Sequence, residues 1–133
     1  QRAGFIDMRI PGAAGAAVST AEDLLRWDRA LAKNVVISAE SRRRMLTPEK
    51  GNYGYGTMLG EMGAKKTDGH NGGIDGFVSL FQRFTSDGIA VVALANYEDL
   101  PVDLVMPGLT KLALGQPPDV AQVRPEIQLD DSV

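Results

Sequence analysis

Phe77-Val78-Ser79-Leu80-Phe81-Gln82-Arg83-Phe84, the turn Ser86-Asp87-Gly88, and Ile89-Ala90-Val91-Val92-Ala93-Leu94-Ala95 read as two strands and the link between them. At period two the first run places Phe77, Ser79, Phe81 and Arg83 on one side. Val78, Leu80, Gln82 and Phe84 fall on the other. Asp-Gly is among the strongest short-range hairpin signals, because glycine accepts the positive φ of a tight turn. The second run is almost continuously apolar, ends at Asn96, and reads as a central strand covered on both faces. A hairpin at this point makes the sheet antiparallel.

Upstream lies Thr67-Asp68-Gly69-His70-Asn71-Gly72-Gly73-Ile74-Asp75-Gly76-Phe77, which holds the single histidine of the chain. Its glycines would weaken a strand unless something approaches the backbone closely. Before it, Tyr53, Tyr55, Thr57 and Leu59 alternate with Gly54, Gly56 and Met58, and the alternation predicts another strand. Glu61 to Lys66 is then a turn. The expectation is an α+β fold with about three antiparallel strands and flanking helices.

The first helix is expected from about Thr20 to Lys33. Ser19 and Glu22 fit a capping box, Asp23 suits the positive helix end, and Asn34 is a stop. Leu24, Trp27, Ala30 and Leu31 share a face, with Trp27 read as a core anchor. A second helix runs from Ser38, its cap, to Met45 or Leu46, before Thr47-Pro48. Its Arg42-Arg43-Arg44 run reads as a solvated face. Pro101 to Leu114 forms a last helix with Leu104, Leu109, Leu112 and Ala113 apolar. Pro107-Gly108 should kink or split it, and Gly115 closes it. Residues 1–18 are an irregular lead-in with a turn at Pro11-Gly12, and 116–133 read as a linker or tail.

Composition narrows the function classes. With 133 residues there is room for one domain with a modest core. Hydrophobic content of 44% and charged content of 23% are globular values. A net charge of −3 with interspersed signs gives no footprint for nucleic acid. Without cysteine there is no disulfide framework and no thiolate metal site. No apolar run reaches transmembrane length, and the first residues carry no signal-peptide pattern. The start at Gln1, lacking an initiator methionine, reads as a piece cut from a longer protein.

From the residues alone, the histidine stretch supports several chemistries. A phosphate cradle would need a following Lys-Ser/Thr and a strand-to-helix switch, and neither is present. A metal site built on His70 with Asp68 or Asp75 lacks a second histidine or a cysteine. An exposed backbone edge would let an oxygen approach a strand N–H at Gly72 or Gly73, with His70 beside it as donor or proton carrier. A glycine-rich turn with a surface histidine is the plain alternative.

His70-Asn71-Gly72-Gly73, followed by Gly76-Phe77, resembles the third motif of the serine beta-lactamase and penicillin-binding-protein superfamily. In its class C-like and esterase-like branches a His-x-Gly pattern stands where others carry Lys-Thr-Gly. Ser19-Thr20-Ala21-Glu22-Asp23-Leu24 resembles the helix start upstream of that motif. Tyr53-Gly54-Tyr55-Gly56 resembles the strand before it, and Ala93-Leu94-Ala95-Asn96 the end of the closing strand. These agreements run in order across residues 15–96.

The family's nucleophile motif, Ser-x-x-Lys, has no counterpart: no serine here has a lysine three places on. Nor does any tyrosine fit Tyr-x-Asn. The resemblance therefore implies the C-terminal part of such a domain over residues 1–115. Within it, 18–50 would belong to the helical lobe, 53–96 to the sheet, and 101–115 to the terminal helix. Val123-Arg124-Pro125-Glu126-Ile127-Gln128-Leu129 resembles a linker into a further domain. The parent would acylate its serine with a beta-lactam, an ester or a D-alanyl peptide and then hydrolyse the acyl-enzyme.

By position, Gly73 would lend its N–H to the oxyanion hole. His70 would take the place of the motif's basic residue, holding a substrate carboxylate or tuning the tyrosine. Asn71 and Gly72 would line the substrate. A free imidazole is mostly neutral at pH 7, unlike a lysine ammonium, which favours esters or peptides over beta-lactams. No cofactor and no metal is implied. The implied partners are a small-molecule or peptide substrate, the N-terminal half of the domain, and a second copy pairing at a bare sheet edge. Export to the periplasm or beyond is the family habit. The rival class is a non-catalytic interaction module that kept the sheet and lost the chemistry.

Overall fold

The hairpin forms as expected and sits in a larger sheet than the sequence suggests. In the computed structural model, which describes residues 3–118, strand β3 (Phe77–Phe84) pairs antiparallel with β4 (Ile89–Ala95), closing at Phe84↔Ile89. Gly88 takes the positive φ, 65°, that the turn requires. Strand β2 (Lys65–Ile74) flanks β3 on its other side, and β1 (Met58–Met62) completes the order β1-β2-β3-β4. Four strands replace the three expected. The additional one comes from Gly63 at φ 60°, which tightens the predicted 61–66 turn so that strand resumes at Lys65.

Of the strand expected over Tyr53–Leu59, only Met58 and Leu59 are in β1, and the Tyr-Gly alternation before them is not a strand. Tyr53 makes only isolated bridges, to Lys50 and Met58. A Cβ on Gly54 would lie 2.1 Å from the Met45 carbonyl oxygen, so the chain turns tightly under the end of a helix. Gly56 has φ 66°. The glycines mark close approach and turning, and period two arose without pleating.

Helices cover both faces of the hairpin. Because side chains alternate, Leu80, Phe84, Ile89, Val91 and Ala93 form one face. On it, α3 (Val102–Ala113) seats Met106 and Leu109, giving a core centred on Phe84, Val91 and Met106. The helix continues through Pro107 and is not split there, and Gly115 at φ 72° follows its end. Leu104 and Leu112 do not join the core; Leu104 is 78% exposed. Strand β4, expected to be central, is an edge of the sheet: among the described residues nothing pairs with its outer side.

Helix α1 (Ala21–Ala32) lies against β4 from the opposite face. Its cap is Thr20 rather than Ser19: the Thr20 hydroxyl accepts from the Asp23 N–H at 3.1 Å. Trp27 is not a core anchor but is 48% exposed. The helix instead turns Asp28 inward, where Asp28 Oδ1 lies 3.0 Å from Arg83 Nη1. Leu31 is the buried apolar residue of this helix, and Asn34 beyond it adopts φ 54° as a stop. Helix α2 (Ala39–Met45) starts at Ser38, whose hydroxyl accepts from the Ser41 N–H at 3.1 Å. In its arginine run Arg43 and Arg44 are exposed, Arg42 is half-buried, and Arg44 lies over the Tyr55 ring. Most of the 116–133 tail, including Val123–Leu129, lies outside the described residues.

Candidate functional site

The site follows from strand lengths. Strand β1 pairs with β2 from Met62↔Lys65 to Met58↔Gly69 and goes no further. Strand β3 stays with β2 to Ile74↔Phe77. Residues 70–74 thus run past the end of β1 and, among the described residues, are paired on one side only. On a strand, alternate backbone groups point to either side, so some N–H and C=O groups of this half face open space. Gly72 and Gly73 lie on that half, in a strand.

Alternation also sorts the side chains. His70 and Gly72 share a face with their cross-strand partners Phe81 and Ser79. Asn71 and Gly73 belong to the other face, so the four candidate residues meet along the edge rather than on one surface. Close packing accounts for two of the glycines. A Cβ on Gly69 would lie 2.0 Å from the Phe81 carbonyl oxygen, and one on Gly72 2.6 Å from Ser79 Oγ. At Gly73 a Cβ would meet nothing within 4 Å. Only there is the space open to a visitor.

His70 is exposed, and both its ring nitrogens are engaged. Nδ1 lies 2.5 Å from the Asn71 carbonyl oxygen, and Nε2 lies 2.7 Å from the Tyr53 hydroxyl. The two rings meet edge to face, 88° apart with centroids at 5.6 Å. Sequence reasoning missed Tyr53 as a site residue. The signal lay in two pairings, Tyr53↔Met58 and Met58↔Gly69, which bring a residue 17 positions away beside the histidine. Neither is legible until β1 is placed.

Two residues along the strand on the same face, Asp68 is 4% and its cross-strand partner Arg83 5% exposed. Arg83 Nη2 and Nε donate to Asp68 Oδ2 at 2.6 and 3.0 Å. The contact from Arg83 Nη1 to Asp28 Oδ1 is close but off the axis of a hydrogen bond, and neither atom has another partner. This paired guanidinium fixes α1 to the sheet beneath the site. At the other end, the Gly76 N–H donates to Glu98 Oε2 at 2.7 Å, tying the β2–β3 turn to the loop after β4.

A hollow of about 300 Å³ is bordered by Met58, Gly69, His70, Asn71 and Phe81. A larger one, about 740 Å³, lies beneath α2 between Arg42, Glu61, Lys66 and Asp68, and includes none of residues 70–73. The smaller hollow reaches His70 and Asn71, where the one-sided half of β2 begins, and stops short of Gly72 and Gly73; its contact with the histidine makes it the candidate site.

A family model described as beta-lactamase matches residues 2–114. Among solved structures, a penicillin-binding protein from Bacillus halodurans is similar at 23% identity with a TM-score of 0.62, over 70% of this chain and 30% of that one. A D-amino acid amidase from Ochrobactrum anthropi SV3, complexed with D-phenylalanine, is similar at 25% identity and TM-score 0.59, over 68% and 28%. A D-stereospecific amidohydrolase from a Streptomyces species is similar at 30% identity and TM-score 0.53, over 66% and 29%. The chain thus spans under a third of each of these proteins. Among curated protein sequences, none matches.

Proposed function

From the premise that this chain belongs to the beta-lactamase family, we propose that it is the substrate-edge part of a serine hydrolase whose nucleophile lies outside these residues. The observation that carries this reading is the half of β2 that pairs with β3 but not with β1, where Gly72 and Gly73 stand beside His70 and, of the two, only Gly73 opens onto empty space. A carbonyl oxygen arriving there would accept from the Gly73 N–H. The nucleophile's own N–H would supply the second donor of an oxyanion hole. Gly72 and Asn71 would line the substrate along the strand, with the hydrogen-bonded His70–Tyr53 pair at its edge.

The reaction is acyl transfer: a serine oxygen attacks the carbonyl, the leaving group departs, and water releases the acyl group. Amides and peptides are the favoured substrates, ahead of esters and beta-lactams. Two of the similar structures are an amidase and an amidohydrolase, and the motif carries histidine in place of lysine. Without Ser-x-x-Lys the polypeptide by itself is inactive. The open outer side of β4 is where further strands of the domain, or a second copy, would pair. Sedimentation at micromolar concentration should show self-association, and a sharp-melting monomer would count against that part. The rival, an interaction module, draws on the same missing motif.

The longer reading frame separates the two. Ser-x-x-Lys and Tyr-x-Asn upstream, with acylation of that serine by a fluorescent penicillin or a fluorophosphonate, support the hydrolase. Their absence from the whole frame overturns it.

A further inference from the structure

We propose that Tyr53 is the positioning residue for His70, and that Tyr53 and the Asn71 carbonyl together hold the neutral imidazole in its Nδ1–H tautomer. The argument starts from what each partner can do. A carbonyl oxygen only accepts, so the 2.5 Å contact to the Asn71 oxygen requires a proton on Nδ1. In a neutral ring Nε2 then carries the lone pair, and the hydroxyl 2.7 Å away must donate to it. A free imidazole favours the opposite tautomer. The arrangement is therefore imposed by the two partners.

The backbone supplies the precision. The bridges Tyr53↔Met58 and Met58↔Gly69 hold the phenol beside the strand position next to His70. Gly54, which has no room for a Cβ under the Met45 carbonyl, fixes the chain directly after Tyr53. The edge-to-face contact of the rings then leaves the hydroxyl aimed at Nε2.

The consequence for the site is specific. Neither ring nitrogen of neutral His70 is free, so the group offered outward is the Tyr53 hydroxyl oxygen, which keeps acceptor capacity. Donating to Nε2 polarises that oxygen and makes it a better acceptor. Its use towards a substrate N–H or O–H rests on the hydrolase reading; the tautomer rests on geometry alone.

His70 is the only histidine, so a long-range proton–nitrogen correlation spectrum of the intact chain reports on it without assignment. With the ring neutral, the expected result is a protonated, pyrrole-type Nδ1 and an unprotonated, pyridine-type Nε2. In Tyr53→Phe, which keeps the ring contact and loses the hydroxyl, the balance should move towards the Nε2–H form. A wild-type ring that is Nε2–H, or averaged between tautomers, overturns the proposal. So does a Tyr53→Phe spectrum identical to wild type. If that variant does not fold, fluorotyrosine at position 53, a stronger donor of nearly the same shape, should shift Nε2 further. An unmoved Nε2 would again overturn it.

Discussion

Strand β2 is two regions in one run of ten residues. Lys65 and Lys66 pair with β1 alone, and from Thr67 to Gly69 the strand is held on both sides, with Thr67 and Asp68 buried and Asp68 bound to Arg83. From His70 to Ile74 it is held, among the described residues, by β3 alone, and its residues are mostly exposed. The same backbone pairing therefore serves stability in one half and access in the other. What separates them is only where β1 stops. A recognition edge need not be a loop: a strand that outruns its neighbour keeps the rigidity of the sheet and leaves part of its backbone unpaired.

The sharpest way to break the contrast is at Arg83. Arg83→Ala leaves Asp68 buried without its partner, and removing one member of a buried pair costs about 3–5 kcal/mol. Urea unfolding should show that loss. Replacing Asp28, Asp68 and Arg83 together with Leu, Leu and Met should recover much of it, because no charge is then left alone.

Two glycines come next. At Gly69→Ala the new methyl meets a carbonyl oxygen that cannot step aside, and overpacking of this kind costs about 1–3 kcal/mol. At Gly73→Ala it meets open space, so stability should change by no more than about 0.5 kcal/mol. Equal losses at both positions, measured by thermal or urea unfolding, would erase the distinction between the halves.

The smallest effect lies in the lead-in before α1. The Arg9 guanidinium beside Asp7 holds its carboxyl below the usual carboxylate range and has its own pKa raised in turn. A carboxyl lowered in the folded state stabilises above its unfolded value and loses that contribution as pH falls through the folded one. The pair is open to solvent and screened, so Arg9→Ala should move the Asp7 midpoint upward in an NMR titration and leave the melting temperature at pH 7 in place.

How much of this the sequence discloses differs between the hairpin and the site. Asp87-Gly88 and the alternation around Phe81 fix β3 and β4, because a tight turn and a half-buried pleat leave direct residue signatures. Ser38 marks α2 for the same reason. The Tyr53–Leu59 alternation misleads, since glycines demanded by close approach and by turning imitate period two. Trp27 misleads because the inward position of α1 is taken by Asp28, drawn to an arginine 55 positions away. The histidine motif marks which strand matters. Which half of it is open, and that Tyr53 reaches it, depend on long-range register, which no local pattern encodes.

The central claim, that the chain carries the substrate edge of a hydrolase without its nucleophile, meets its most direct test in the purified polypeptide itself. It should be incubated with nitrocefin, with p-nitrophenyl acetate, and with a fluorophosphonate or penicillin probe followed by mass spectrometry. The expected result is turnover at background and no adduct on any serine. Reproducible turnover together with a covalently labelled serine within these residues would contradict the claim.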